Sequence, residues 1–279
     1  MIKVTVVVDN SVPISAKKPF LGEHGLSLLL EMNSRKLLLD AGQSAIVVHN
    51  LSLLGVHPLQ LDAIAISHGH YDHTGGLPHI LRHRRKPIPI YAHTRIFGER
   101  YSVSGEGREH IGIPFTKEES ISLGAEWQFK NEPVEIAPNL WFSGSMPRTT
   151  AFEKGDTKLV VCDKTGCDCQ DEIPDDTALY YASDKGLVVI GGCSHSGLVN
   201  TLNRGFQITG QTRLAGWIGG THLGPVLPTQ QEISLTTLAQ YSPDFVAANH
   251  CTGFEMMAEL RACFGKKFIP AFVGTVIEF

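Results

Sequence analysis

Three imidazoles and a carboxylate fall within six residues, at His68, His70, Asp72 and His73, in the run Ser67-His68-Gly69-His70-Tyr71-Asp72-His73-Thr74-Gly75-Gly76. Nitrogen and oxygen donors at this density read as the ligand set of a divalent metal, against the plainer alternative of a histidine-rich polar turn. The run follows Leu61-Asp62-Ala63-Ile64-Ala65-Ile66, a short apolar stretch that reads as a buried strand. The donors therefore sit at a strand's end. His68 and His70 are two residues apart, and extended backbone places both side chains on one face, converging on a single ion. Asp72 and His73 follow where the chain must bend and can serve a second ion. Thr74 and the glycine pair then open a helix predicted over 77–85.

One loop cannot complete two sites, because a catalytic zinc takes about three protein ligands and keeps a position for water. Three later histidines lie just past predicted strands: His195 after 187–190, His222 after 217–218 and His250 after 246–248. A lone histidine is more often a hydrogen-bonded structural residue than a ligand. The shared strand-end position and the glycines beside them, which let backbone approach closely, make these three candidates. Cys162, Cys167 and Cys169 form a local group that could hold zinc or form a disulfide, but with no fourth local ligand they read as plain loop thiols. His79 and His83, four apart on a predicted helix with basic neighbours, read as surface residues.

The His-x-His-x-Asp-His run resembles the mark of the metallo-β-lactamase-fold superfamily. Within it, the ordered blocks Glu23-His24-Gly25-Leu26-Ser27, the histidine loop, Gly191-Gly192-Cys193-Ser194-His195-Ser196-Gly197, Gly219-Gly220-Thr221-His222-Leu223 and Asn249-His250-Cys251-Thr252-Gly253 are similar to the dihydropterin-ribofuranosylaminobenzene-phosphate synthase-like group of metal-dependent hydrolases. The resemblance implies a four-layer αββα sandwich of α/β (α+β) class with the metals at one rim. It also implies that His24 and Arg148 line the pocket, Arg148 being suited to a phosphate by its planar fork of donors. The chain departs from the superfamily's late pattern, since Gly192-Cys193 stands where a Gly-Asp is expected. Cys193, His222 or a hydroxide could take the bridging role, or the second metal could be weak.

These residues need a scaffold. Strands are predicted over 3–8, 26–32, 36–39, 63–66, 88–92, 140–142, 157–161, 178–182, 187–190, 213–218, 245–248 and 271–277, and helices over 44–54, 77–85, 198–204, 230–240 and 254–264. Interleaved strands and helices point to two sheets covered by helices. The segment 96–128, rich in Gly, Glu and Ser, reads as a long surface excursion that lids or flanks the pocket, or as a disordered insert. Apolar runs recur without a composition break, so 1–279 is expected to be one domain, and 42% hydrophobic residues suffice for a sizeable core. A formal charge of −4 gives no footprint for nucleic acid. No stretch approaches the ~18 apolar residues of a membrane span and the start lacks a leader pattern, so a cytoplasmic protein with reduced cysteines is expected.

The expected function is a metal-dependent hydrolase of a small, phosphorylated or ester substrate. Two divalent metals, zinc first and iron or manganese as alternatives, would be held by His68, His70 and His195 and by Asp72, His73 and His250, with Asp72 and His222 in catalytic roles. The resemblance also implies a transferase alternative, joining a dihydropterin methyl diphosphate to a ribosylated aminobenzene phosphate and expelling diphosphate. A non-enzymatic sensor on the same fold is the third reading. The partner is a small molecule, and a homo-oligomer stays open.

Overall fold

Apolar runs too continuous to alternate form the centres of two sheets, because strands paired in parallel beneath helices are buried on both faces. The computed structural model describes residues 2–105, 107–162 and 168–279. The chain divides into two compact units, Met1–Gly98 with Ile111–Phe129 and Phe272–Phe279, and Glu99–His110 with Lys130–Ala271.

In the first unit a seven-stranded sheet runs in the order Val276–Glu278, Ile2–Val8, Ser27–Met32, Arg35–Leu39, Ala63–Ala65, Ile88–Ala92 and Ala125–Phe129. Its first three pairings are antiparallel and its last three parallel. Pro89 is tolerated because pairing with Ala63–Ala65 begins only at Ile90, so no ladder bond needs its missing N–H. Helices Ile46–Leu53 and Leu77–Arg84 bury Val47, Leu51, Leu77, Ile80 and Leu81 against Leu38, Ile64, Ile88 and Ile90.

The second unit repeats this pattern. Its sheet runs Val134–Ala137, Leu140–Phe142, Ala178–Ser183, Gly186–Gly191, Leu214–Gly219, Phe245–Ala248 and Phe268–Pro270, again with three antiparallel pairings and then three parallel ones. Helices Leu198–Thr209, Pro228–Gln240 and Phe254–Phe264 cover it through Leu198, Leu202, Leu238, Met256 and Leu260, which meet Tyr180, Val189, Trp217 and Val246. A four-stranded sheet, in the order Asp168–Gln170, Leu159–Cys162, Tyr101–Ser104 and Gly107–His110, completes the unit. Parallel pairing puts the C-terminal ends of neighbouring strands at one edge, where the following loops gather. That edge carries Asp40, His68 and His93 in the first unit, and Cys193, His222 and His250 in the second.

Two expectations change. The segment 96–128, expected as a long surface excursion or a disordered insert, carries regular elements. It contains the hairpin Tyr101–Ser104 with Gly107–His110, the helix Lys117–Ser122 and the edge strand Ala125–Phe129. The helix opens on a capping box in which the Thr116 hydroxyl accepts from the Glu119 N–H and the Glu119 side chain from the Thr116 N–H. The hairpin strand Gly107–His110 is exposed throughout, so no apolar alternation marks it. The predicted strand 271–277 is instead two, Phe268–Pro270 and Val276–Glu278, separated by a turn in which the Thr275 N–H reaches the Phe272 carbonyl. Gly274 makes that turn at φ +84°, a conformation side chains disfavour.

Candidate metal centre

In the first unit the His68, His70 and His73 side chains are all buried, and His70 is extended (φ −85°, ψ 150°) before the one-turn helix Tyr71–Thr74. The ring centroids of His68 lie 4.5 Å from those of His70 and 4.2 Å from those of His73. His68 Nε2 and His70 Nδ1 are 2.9 Å apart. The loop is pinned from behind: the Ala41 N–H donates to the His73 carbonyl at 2.7 Å and the Leu26 N–H to the Asp72 carbonyl at 3.2 Å. Gly76 is required here, since a Cβ would come within 2.0 Å of the Ala41 carbonyl oxygen.

The residue that organises these rings is Asp40, which the motif does not contain. Its carboxylate is fully buried and accepts from the Ser67 N–H at 2.7 Å, the Ser67 hydroxyl at 2.7 Å and His73 Nδ1 at 2.8 Å. A hydroxyl has one proton, so Ser67, donating to Asp40, accepts from His68 Nδ1 at 2.9 Å. Asp40 thereby holds the protons of His68 and His73 on Nδ1, one through Ser67 and one directly. Each ring then presents an Nε2 lone pair, the form a metal binds. The signal in the sequence is an aspartate ending the apolar run Leu37-Leu38-Leu39. Asp72 Oδ2 lies 3.5 Å from His73 Nε2 and 3.3 Å from His24 Nε2. The structure thus brings His24, 55% exposed at its side chain, to the loop's carboxylate.

In the second unit three turns after parallel strands bring together Cys193, His195, His222, His250 and Cys251. One ligand atom each from Cys193, His195 and His222 lie within 4.8 Å of one another, and the same holds for Cys193, His250 and Cys251. Ser194, His222 and His250 adopt φ of 63°, 49° and 51°, as Asp40 does at 61°. Such left-handed backbone costs about 1–3 kcal/mol per residue and persists where the surroundings enforce it. Here the sheet edge enforces it: the Gly220 N–H donates to the Gly192 carbonyl at 2.9 Å, and a Cβ at Gly219 would come 2.1 Å from the Gly191 oxygen. His222 is 8% exposed, and neither of its ring nitrogens has a hydrogen-bond partner among the described residues. Burial alone would raise the Cys251 thiol, yet contacts with Cys193 and His222 and the charge of His250 carry it well below the usual thiol range.

These donor sets fit a metal. The first unit offers nitrogen lone pairs already oriented by a carboxylate, and the second a buried imidazole with both nitrogens unsatisfied beside two thiols. Cys193, a candidate for the bridging role in the sequence, is joined here by Cys251, which the sequence did not single out as a donor.

Arg148, expected as a phosphate clamp, directs its fork at the chain's own carbonyls instead. Its guanidinium donates to the carbonyls of Glu153 at 3.1 Å, Glu172 at 3.2 Å and His195 at 2.9 Å. It therefore fixes the turn that carries His195. Arg148→Lys is expected to destabilise the fold by about 1.5–3 kcal/mol, the worth of hydrogen bonds to a charged group, as read by urea denaturation. Unchanged stability would return the arginine to the solvent side. The helix after that turn is capped by Glu153, whose carboxylate accepts from the Val199 and Asn200 N–H groups at 2.8 Å each. Burial pushes the Glu153 and Asp176 carboxyls up.

His79 and His83 stay apart from these sets; His83 Nδ1 hydrogen-bonds to the His79 carbonyl at 2.8 Å. Cys169 is an exposed thiol, while Cys167 and the side chain of Cys162 lie outside the described residues. Among the described residues, no helix is long and apolar enough to cross a membrane.

A mixed α/β scaffold here gathers histidines, an aspartate and thiols at strand ends, donor sets that could hold a metal ion. Residues 22–142 match the metallo-beta-lactamase superfamily. The chain is 30% identical over 269 residues to the 7,8-dihydropterin-6-methyl-4-(beta-D-ribofuranosyl)-aminobenzene-5'-phosphate synthase of Methanocaldococcus jannaschii, covering 94% of this chain and 92% of that one. It is 32% identical over 277 residues to an uncharacterized protein of the same organism, covering 98% and 99%. The solved structure of Tm1679, a metal-dependent hydrolase of the β-lactamase superfamily, superposes with a TM-score of 0.83 at 26% identity over 100% of this chain and 99% of that one. The chain belongs to the metallo-β-lactamase superfamily and has its α/β fold.

Proposed function

We propose that this protein is a metal-dependent hydrolase acting on a small phosphorylated or ester substrate. The observation that carries the reading is the Asp40 network, which holds the protons of His68 and His73 on Nδ1 and turns each Nε2 toward the other donors of a buried loop. The candidate ligands in the first unit are His68, His70, Asp72 and His73, and the candidate ligands in the second unit, taken by itself, are His195 and His250. When bound, divalent metals supply Lewis acidity at a phosphoryl or carbonyl group and lower the pKa of water. Zinc suits the imidazole-rich set. Asp72, between His24 and His73, is the chain's carboxylate for orienting the attacking group, and His24, the exposed member, meets the substrate.

A second reading is favoured by one specific observation, the synthase of Methanocaldococcus jannaschii that the chain resembles over almost its whole length. In that reading bound metal would supply positive charge for a departing diphosphate, and an arylamine would be the acceptor instead of water. One metal-loaded preparation tests both, assayed against phosphodiesters, lactones and a dihydropterin methyl diphosphate. Turnover of an ester or phosphodiester by water supports the hydrolase. Diphosphate release that depends on the arylamine overturns it in favour of the transferase.

A further inference from the structure

We propose that the first unit binds a small organic phosphate in a basic groove at the edge of its sheet away from the histidine loop, held by Arg82, Arg85 and the imidazole of His57. This site is separate from the candidate metal centre and does not rest on the hydrolase reading. The helix Leu77–Arg84 leaves the histidine loop and returns to the opening end of the strand Ile88–Ala92. Parallel pairing brings the opening ends of Ala63–Ala65 and Ala125–Phe129 to the same edge. The turns before these three strands, 54–62, 85–87 and 122–124, border three adjoining hollows of about 450, 510 and 390 Å³. The first two share His57 and His83 and the last two share Arg82 and Arg85, so they run together as one groove.

The described lining of this groove carries Arg82, Arg85, Lys86 and three histidines but not one carboxylate, in a chain whose formal net charge is −4. Neither the two arginines nor the lysine makes an ion pair among the described residues. A helix C-terminus favours cations, which accounts for Arg82 and His83 in the last turn. It does not account for a concave surface of one sign, bordered by two further turns. His79 feels that field: burial first, then the charges of Arg82 and His83, hold its imidazole below the usual range.

The groove is also preformed. Arg84 donates to the carbonyls of Pro58 at 3.0 Å and Leu59 at 3.1 Å, fixing the helix end to the turn 57–61. His57 accepts the Leu59 N–H on Nδ1 at 3.2 Å, so its ring proton is on Nε2, a donor for a phosphate oxygen. The guanidiniums of Arg82 and Arg85 supply planar forks that match phosphate oxygens. Val48, Val56 and Pro58 line the first hollow beside His57 and His83, an apolar berth for the organic part of the ligand. Hollows of a few hundred cubic ångströms suit a small molecule, and the net negative chain disfavours an anionic polymer.

The test is calorimetric titration of the full chain carrying His68→Ala and His70→Ala, in which metal at the histidine loop cannot hold the phosphate. This protein is expected to bind one diphosphate, and to bind phenyl phosphate several-fold more tightly than inorganic phosphate. Equal affinities for the last two would overturn the organic half of the assignment. Adding Arg82→Gln with Arg85→Gln, at two exposed positions, should weaken diphosphate binding about ten-fold per guanidinium removed. Lys158→Gln with Lys266→Gln, exposed cations outside the groove, should leave it unchanged. Equal losses in the two pairs would reduce the effect to net charge and overturn the site, as would undiminished binding without the two arginines. Binding of a single-stranded oligonucleotide in place of the small probes would overturn the small-molecule assignment. Should a variant fail to fold, imidazole resonances of the parent decide: those of His57 and His83 should move with diphosphate, and stationary ones would overturn the proposal. The metal-dependent reading is decided separately, by the ester and diphosphate assays above.

Discussion

Replacing His68 and His70 together by alanine is expected to release about one equivalent of metal and abolish turnover, because the pair supplies two of a site's roughly three protein ligands. The fold should survive. Both side chains are buried, but they lie past the end of the strand Ala63–Ala65, outside the apolar cluster of Leu38, Ile64, Ile66 and Ile90 that holds this unit together. Truncating them should cost on the order of 1–3 kcal/mol, within the range of ordinary destabilising substitutions. Elemental analysis and circular dichroism on one preparation check both halves. Full metal occupancy in a folded double variant would remove this loop from the metal centre.

Asp40 should matter as much, although it touches no metal. Asp40→Ala would leave three buried donors, the Ser67 N–H, the Ser67 hydroxyl and His73 Nδ1, without their acceptor. Removing one partner of a buried charged network costs about 3–5 kcal/mol, so this variant is expected to be severely destabilised. Asp40→Asn separates the two roles. The amide keeps the shape, and its oxygen can still accept from the Ser67 N–H, but its NH2 group now faces His73 Nδ1 and the Ser67 hydroxyl. His73 must then move its proton to Nε2, the nitrogen a metal needs. Metal affinity is expected to fall about 10–100-fold, the usual range for loss of an outer-shell partner. Chelator competition measures the affinity and urea denaturation the stability. Equal affinity in parent and Asp40→Asn would show that the tautomer is set by something other than this carboxylate.

The first prediction is legible in the sequence and the second is not. His68, His70, Asp72 and His73 are local: extended backbone and a following bend suffice to gather them, and the preceding apolar run marks the strand that ends there. The same local logic placed the strands at 88–92, 140–142 and 245–248 and the helix at 254–264 where they are found. It failed where apolar periodicity was weak, in the exposed hairpin strand Gly107–His110, and where a Gly and a Pro split one apolar stretch between two sheets at 268–278.

His195, His222 and His250 could be suspected from their strand-end positions, but sequence did not decide their neighbours. Cys193 and Cys251 stand 58 residues apart and Asp40 and His73 stand 33 apart. Only parallel pairing, which aligns strand ends along one edge, makes such residues meet. Arg148 shows the same division. Its chemistry is that of an anion clamp, yet three main-chain carbonyls reached it first, and which acceptors a guanidinium finds depends on the packing of loops distant in sequence. The sequence by itself determined the donor-rich loop, the α/β alternation and the strand ends where chemistry would sit. The tertiary structure decided which nitrogen of each ring is presented, which thiols join the histidines and which polar groups are already satisfied, because hydrogen-bond geometry is settled between segments that local propensity does not connect.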